Sequence, residues 1–349
     1  MQRISIDQHI KHLLDSFDVM QYNYKPNFDF VKNLPIISRE ELQKTKMEKG
    51  VFSCKSSGST GIPVTVEKTI LDHIWYMATN IREMKWRNWN FGLTKATVKP
   101  SIEKEDKEFD SWGIPKIIAP KQGKSYKSHL GTVREIQEWL EKKNPHYLHC
   151  NPTVAKQLDL KKITNLIDVK GTGELGGSMY SSEECGTIAI QCPTNQENYH
   201  VMENQIVETN ENKELIITTL TNPYIRRYKH GDLIELGTCS CGRSLQTITK
   251  IYGRVRNMFV YPNGDKKWPL FGSRTYYDDF GIKRYKLIQH SLHQLELQVV
   301  CEKMSEQNET RLKEQIRSML ETESQVAITY VDNFTNYKHE EFVSLVKSV

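Results

Sequence analysis

A loop rich in serine and glycine, Ser56–Pro63, constrains the fold of this chain more than any other stretch of the sequence. Short apolar segments at 51–54 and 64–66 flank the loop, and their pattern predicts two strands. The loop itself favours neither helix nor strand, because glycine and proline interrupt both. Glycines let backbone N–H groups converge on an anion, and hydroxyls add donors without charge. The loop therefore predicts a polyphosphate cradle, with an ordinary hairpin connection as the alternative.

The composition limits the classes of function. A chain of 349 residues with 38% hydrophobic and 26% charged residues is typical of a soluble protein with one large core and a smaller second domain. Its net charge of +5 is shared between 48 basic and 43 acidic residues, and no dense basic stripe predicts a nucleic-acid partner. No apolar run reaches membrane-spanning length, and no signal-peptide core follows the first residues, so we expect no membrane association. Seven cysteines without a secretory signal favour a reduced, cytoplasmic setting.

Helical and strand patterns alternate through most of the chain and predict an α/β architecture. Apolar residues recur at helical spacing over 69–86, and Ser38 with Glu41 has the spacing of a capping box.

The last third of the chain has a different pattern. Tyr285–Glu302 alternates like one long strand, 305–321 has a helical stripe, and Gln325–Tyr330 reads as a final strand. We therefore predict a large domain over 1–256 and a small α+β domain over 257–349.

Five motifs in the expected order resemble those of the adenylate-forming enzymes, and the nearest branch is the phenylacetate–CoA ligase-like family, which includes proteins from capsular polysaccharide clusters. The resemblance covers roughly residues 25 to 260 and implies a large acyl-CoA synthetase-like N-terminal domain that binds ATP. It implies the following nucleotide-binding residues: Ser57, Gly58, Ser59, Thr60, Gly61, Glu174, Tyr180, Asp232 and Arg254.

Two of these motifs carry specific roles by resemblance. In Tyr180–Gly186, Tyr180 would pack on the adenine and Glu184 would hold magnesium on the ATP, although a surface glutamate pair is the alternative reading. A carboxylate suits such a hard cation. In Arg227–Asp232, the carboxylate of Asp232 can accept hydrogen bonds from both ribose hydroxyls.

The chain departs from the family pattern at two places. Only five residues separate Glu174 from Tyr180, where relatives place a helix and a strand. The missing βα unit would open one side of the nucleotide site or leave a strand edge for a partner. The family's catalytic Gly-Lys pair aligns with Glu340-Glu341, and Lys338 is the nearest lysine. Lys338 is therefore either a shifted catalytic cation or a solvated surface residue.

Four residues have the composition of a closed zinc site. Cys239 and Cys241 form a Cys-x-Cys frame, and Cys192 and His200 lie upstream across a polar loop. Three thiolates and one imidazole complete a tetrahedral structural site. Some relatives have similar residues at comparable places, but the spacing is atypical of a zinc finger, and a pair of buried thiols is the alternative.

These observations favour ATP-dependent activation of a carboxylic acid, with aromatic acids among the candidates, to an acyl-adenylate. The acyl group would then pass to CoA, a carrier protein or an amine. The alternative is a non-catalytic nucleotide-binding or scaffold protein that keeps the fold. A homodimer is compatible with the sequence, which does not determine the oligomeric state.

Overall fold

The computed structural model describes residues 5–23, 29–55, 64–99, 106–129, 133–172, 177–254, 259–267, 279–282, 284–332 and 341–345. The chain divides into two compact units, the first made of 1–230 with 234–251 and the second of 231–233 with 252–349. The predicted domain boundary between 256 and 257 lies outside the described residues.

The described helices of the first unit are short, apart from two long ones. They are Ile6–Asn23 (α1), Asp29–Lys32 (α2), Arg39–Lys44 (α3), Ile70–Trp86 (α4), Val133–Lys143 (α5) and Pro152–Gln157 (α6), with a 3-10 turn at Leu160–Lys162.

Fourteen strands begin in the described residues of the first unit. They are Phe52–Lys55 (β1), Thr65–Lys68 (β2), Lys95–Lys99 (β3), Lys107–Phe109 (β4), Ser125–His129 (β5), Tyr147–Cys150 (β6), Asp168–Gly171 (β7), Met179–Ser182 (β8), Gly186–Gln191 (β9), Tyr199–Val201 (β10), Gln205–Thr209 (β11), Glu214–Thr219 (β12), Tyr228–Gly237 (β13) and Thr247–Arg254 (β14).

Capping boxes fix the first residues of the helices α3 and α4. Ser38 caps α3, because its side chain accepts from the backbone N–H of Glu41 while Glu41 accepts from the backbone N–H of Ser38. The predicted capping box is thus confirmed. Thr69 and Asp72 form the same reciprocal pair at the start of α4, which fixes where that helix begins.

A five-stranded sheet in the order β4-β5-β3-β6-β7 forms one half of the first unit. The strands β5, β3, β6 and β7 are parallel to one another, and β4 pairs antiparallel with β5 at one edge of the sheet. The apolar face of α5, with Ile136 and Leu140, packs with Ala96, Val98 and Leu148 of the sheet. This alternation of parallel strands and helices is the predicted α/β pattern.

The end of this sheet is closed by side chains. β7 is its terminal strand, and Arg87 donates to the carbonyl of Val169 at 2.7 Å. The carboxylate of Asp168 accepts from the backbone N–H of Val169 at 2.9 Å, and Ser178 donates its N–H to the carbonyl of Gly171 at 2.8 Å. The N–H and carbonyl of Val169 and the carbonyl of Gly171 are therefore bonded within the chain. This finding argues against the predicted strand edge for a partner.

A seven-stranded sheet, in the order β11-β12-β13-β14-β10-β9-β8, forms the other half of the first unit. Buried aliphatic residues on its strands, such as Ile188, Ile217 and Ile248, pack with Leu42 of α3 and Val66 of β2. This packing holds the β1–β2 hairpin and α3 against the sheet.

The second unit contains a four-stranded sheet and one long helix among its described residues. Its elements are Phe259–Val260 (β15), Lys266–Lys267 (β16), Arg284–Ser291 (β17), Gln294–Val300 (β18), Glu306–Leu320 (α7), Gln325–Tyr330 (β19) and Glu341–Ser344 (β20). The predicted long strand over Tyr285–Glu302 is wrong, because a turn at 292–293 divides it into an antiparallel pair with the same alternation on both strands.

The helix α7 covers one face of that sheet. Leu312, Ile316 and Leu320 are buried against Leu287 and Leu297 of β17 and β18, which confirms the predicted helical stripe. Among the described residues, no helix is both long and apolar enough to cross a membrane.

Candidate functional site

The β8–β9 hairpin positions the first candidate residues. Tyr180 lies on β8 and Glu184 lies in the turn that follows, where the hydroxyl of Ser182 accepts from the backbone N–H of Cys185 at 3.1 Å. Glu184 is only 2% exposed. The alternative reading of Glu184 as a surface residue is therefore wrong.

Two cations hold Glu184 from different sides. The Arg39 guanidinium lies 2.9 Å from its carboxylate, and the Lys68 ammonium donates to its backbone carbonyl at 2.6 Å. Burial raises the pKa of Glu184, but interactions with the His230 ring, with a backbone N–H and with Arg39 outweigh burial and hold the pKa below its ordinary value. The carboxylate is therefore ionised at neutral pH despite its burial.

His230 packs against two aromatic rings. The His230 ring lies 6.3 Å from the ring of Tyr180 and 6.1 Å from that of Tyr228, both edge-on. Burial raises the pKa of Tyr228, and the charge of Glu184 adds to the effect. We call Arg39, Lys68, Tyr180, Glu184, Tyr228 and His230 the Glu184 cluster.

The Glu184 cluster fits a magnesium–nucleotide ligand in its chemistry. Magnesium prefers carboxylate oxygens, and an ionised carboxylate offers about four lone-pair positions, of which Arg39 and a backbone N–H use two. Glu184 would hold the ion, while the face of Tyr180 would suit a base.

Several predicted nucleotide-binding residues lie outside the described residues. These are Glu174 and the phosphate loop with Ser57, Gly58, Ser59, Thr60 and Gly61; the candidate catalytic residue Lys338 also lies outside the described residues. The strands that flank the loop are described, and β1 pairs with β2 antiparallel up to Lys55 and Thr65. Asp232 is buried on β13, in the second compact unit, and Arg254 ends β14.

The four predicted zinc ligands converge at the ends of three strands. Cys192 follows β9, His200 lies on β10, and Cys239 and Cys241 lie in the loop between β13 and β14. Their ligand atoms all lie within 4.8 Å of one another. Residues from three separate stretches of sequence therefore form one cluster, here called the Cys–His cluster.

The geometry of the Cys–His cluster matches a tetrahedral metal. The sulfurs of Cys192 and Cys239 are 3.7 Å apart, and the sulfur of Cys241 lies 3.2 Å from Nε2 of His200. A tetrahedral zinc with bonds of about 2.3 Å to sulfur needs sulfur–sulfur distances near 3.8 Å. The soft donor set and these distances fit zinc.

The protonation states of His200 and Cys241 also suit a metal. Burial lowers the pKa of His200 to about 4, helped by the charges of Arg243 and Arg82, so its imidazole is neutral at pH 7. Burial raises the pKa of Cys241, but hydrogen bonds with Arg243 outweigh burial and lower it. Burial raises the pKa of Cys239.

Arg243 and Ser244, next to the Cys–His cluster, contact residues of the helices α4 and α1. The Arg243 guanidinium lies 4.8 Å from the ring centroid of Trp86, which packs edge-on against His200. Arg243 also donates to the side chain of Gln21 on α1, and Ser244 donates its N–H to the carbonyl of Gln21. A Cys₃His zinc centre carries one net negative charge, which Arg243 would balance.

Sequence reasoning missed the partners of Glu184. Arg39 was read only as part of a capped helix, and 145 positions separate it from Glu184. Lys68 lies between the predicted strand at 64–66 and the predicted helix at 69–86, and the sequence assigned it no role. No local spacing in the sequence predicts these contacts. His230 differs, because it lies inside the Arg227–Asp232 motif that the sequence analysis identified.

Comparisons with known proteins place the fold. No protein-family model and no curated protein matches the sequence. Among solved structures, the chain has the fold of an adenylate-forming acyl-CoA ligase, and the predicted α/β fold class is confirmed.

One solved structure with this fold is 2-hydroxyisobutyryl-CoA ligase in its postadenylation state with 2-HIB-AMP. It superimposes with a TM-score of 0.60 at 13% identity, over 97% of this chain and 88% of the ligase. The same ligase with R3-HIB-AMP gives a TM-score of 0.57 over the same shares. The resemblance to adenylate-forming enzymes is thus confirmed for the fold, while the phenylacetate–CoA ligase-like branch stays a prediction.

Proposed function

We propose that this protein activates a carboxylic acid with ATP. A carboxylate oxygen of the acid attacks the α-phosphorus, the bond to the β-phosphate oxygen breaks, and pyrophosphate leaves the acyl-adenylate. In a second step, the thiol of CoA or of a carrier protein, or an amine, attacks the acyl carbon, loses its proton to solvent and releases AMP. The observation that carries the proposal is the buried, ionised Glu184 beside Tyr180 in a chain with the fold of an acyl-CoA ligase.

Each candidate residue would contact a different part of the bound magnesium–nucleotide. The phosphate loop with Ser57, Gly58, Ser59, Thr60 and Gly61 would hold the phosphates, with Glu174 and Arg254 near the nucleotide. Tyr180 would contact the adenine, Asp232 the ribose, and Glu184 the magnesium ion. The chain would act by positioning and charge neutralisation, without a protein nucleophile.

Zinc would act as a structural clip through Cys192, His200, Cys239 and Cys241. Such a closed site leaves no position for water, so zinc would stabilise the fold and take no part in the chemistry. All seven cysteines lie outside disulfide bonds, which suits a cytoplasmic setting.

Pyrophosphate–ATP exchange with a panel of acids tests the proposal. The panel should include 2-hydroxyisobutyrate, the acid of the superimposed ligase, and a set of aromatic acids. Exchange that depends on one class of acid is the expected result. ATP binding without exchange with any acid would favour the non-catalytic nucleotide-binding alternative.

Lys338 is the residue that we propose as the catalytic cation. A cation at the transferring phosphate stabilises charge that develops in the transition state, so Lys338→Ala should slow exchange at least about tenfold with little change in ATP affinity. Lys313→Ala is the matched control, because that ammonium lies on α7 beside Glu309. Full exchange in Lys338→Ala would move the role to another lysine.

A further inference from the structure

The Arg39–Glu184 ion pair joins two elements that are far apart in sequence. Arg39 is the first residue of α3, and Glu184 lies in the β8–β9 turn. Their side chains are 18% and 2% exposed, and 2.9 Å separates Nη1 of Arg39 from Oε1 of Glu184. Both partners lie within the first compact unit.

The backbone at Arg39 is held on both sides. Ile37 pairs with β13, since its N–H donates to the carbonyl of Arg227 at 3.0 Å and its carbonyl accepts from Lys229 at 2.9 Å. On the other side, the Ser38 cap fixes the first turn of α3, and Leu42 is buried in the core. The guanidinium is therefore presented to Glu184 from a rigid base, which lowers the entropy lost when the pair forms.

Glu184 is held at its main chain as well as at its carboxylate. Lys68, itself 5% exposed, donates to the carbonyl of Glu184 at 2.6 Å. A buried carboxylate needs a charged or hydrogen-bonding partner, and arginine supplies a positive charge at every physiological pH. Arg39 thus fixes the direction of the carboxylate, while Lys68 binds the turn that carries it.

We propose that Arg39 is a positioning residue that orients the Glu184 carboxylate for the magnesium ion of a bound magnesium–nucleotide. This inference rests on the proposed function, which assigns the ion to Glu184. Carboxylates that bind metals are themselves held by outer hydrogen-bonding partners, and loss of such a partner lowers metal affinity roughly 10- to 100-fold. Arg39 acts through Glu184 and is not required to touch the nucleotide.

The test measures magnesium dependence of ATP binding and needs no catalytic turnover. ATP binding to the full chain is followed by calorimetry while magnesium chloride is titrated at a fixed, subsaturating ATP concentration. Arg39→Leu should raise the magnesium concentration for half-maximal binding about 10- to 100-fold. Binding of ATP in the presence of EDTA should stay within about twofold of the unaltered protein, because Arg39 acts on the metal ligand.

A double-mutant cycle separates this role from a general loss of structure. Glu184→Gln should raise the magnesium requirement, and Arg39→Leu with Glu184→Gln should raise it no further, because the metal ligand is already lost. Arg39→Lys keeps the charge with fewer donors and should give an intermediate value. Asp168→Asn is the matched control, since it weakens the Arg87 ion pair of the same unit and should leave the magnesium requirement unchanged.

The outcomes distinguish this inference from the proposed function. An unchanged or lowered magnesium requirement in Arg39→Leu overturns the inference, and so do additive effects in the double variant. If Arg39→Leu does not fold, Arg39→Lys and Glu184→Gln carry the comparison, and equal magnesium requirements in Arg39→Lys and the unaltered protein overturn it. Failure of the unaltered protein to bind ATP with magnesium overturns the proposed function and this inference together.

Discussion

The Cys–His cluster and the Glu184 cluster differ in where their counter-charge comes from. The Cys–His cluster collects three thiols and one neutral imidazole, and in the proposed site a metal ion supplies the positive charge. The Glu184 cluster carries its own positive charge, because Arg39 and Lys68 already bind the side chain and main chain of Glu184. In the proposed function, the Cys–His cluster would therefore depend on an ion for its stability, whereas the Glu184 cluster has its counter-charge before any ion binds.

Metal removal should produce the largest effect and tests the first half of this comparison. Loss of a structural metal belongs to the mechanisms that cost more than about 4 kcal/mol, so a strong chelator should lower the unfolding midpoint by about 10 °C. Cys239→Ser should give a similar loss. Thermal scans and elemental analysis of protein purified without added metal measure both, with about one zinc per chain expected.

Cys54→Ser is the matched control for that experiment. Cys54 is a half-buried free thiol on β1 of the same unit, outside the Cys–His cluster. Its replacement should cost no more than about 1 kcal/mol and should leave the zinc content unchanged. A thermal unfolding midpoint that the chelator leaves unchanged would contradict a structural metal in the Cys–His cluster.

Breaking the Arg39–Glu184 pair should have the next largest effect and tests the second half of the comparison. Arg39→Leu leaves a buried carboxylate without its guanidinium, which should lower the free energy of unfolding by about 3 kcal/mol in urea titrations. Arg39→Leu with Glu184→Leu should recover most of that loss, because apolar replacement of a buried pair is often neutral.

The same variants sharpen the comparison with the Cys–His cluster. Chelator should lower the stability of Arg39→Leu and of the unaltered protein by the same amount, because the Glu184 cluster does not need an ion to fold. Losses that are additive for Arg39 and Glu184 would show that the pair is not the source of stability.

The Arg87–Asp168 pair gives the smallest expected effect and shows what partial exposure does. Asp168 is 30% exposed, and its carboxylate accepts from Arg87 at 2.6 Å and from the Trp89 ring N–H at 2.6 Å. Burial raises the pKa of Asp168, but these hydrogen bonds outweigh burial and lower it. Stability from this group is complete above the unfolded pKa of about 4 and is lost as pH falls through the lower folded value.

Urea titrations over pH test this dependence. The difference in free energy of unfolding between the unaltered protein and Asp168→Asn should be about 1 kcal/mol from pH 5 to 7 and should shrink below about pH 4. A difference that grows as pH falls would contradict the assigned direction of the pKa shift.

The sequence predicted elements well where the signal is local. The capping box at Ser38 and the stripe of α7 follow from spacing within one or two turns. The Cys–His residues could be named because thiols and imidazoles are rare and chemically distinctive. Their convergence depends on the pairing of β9, β10 and β14, which the sequence does not display.

The partners of Glu184 could not be predicted for a related reason. Arginine and lysine are common on surfaces, and only the tertiary fold brings Arg39 and Lys68 to one turn. The division of Tyr285–Glu302 into two strands was also hidden, because a tight turn at 292–293 preserves the alternation on both sides. Long-range pairing and short turns therefore limit what periodicity can establish.

The closed end of the five-stranded sheet has a consequence for the protein at high concentration. A terminal strand with unbonded N–H and carbonyl groups is a template for the strands of other chains, and such pairing starts aggregation. Arg87 and Asp168 bind the carbonyl and N–H of Val169 on β7, and the N–H of Ser178 binds the carbonyl of Gly171, so a neighbouring copy would find these groups already bonded. Bonding of these groups leaves fewer backbone positions on β7 from which strand pairing with another chain could start.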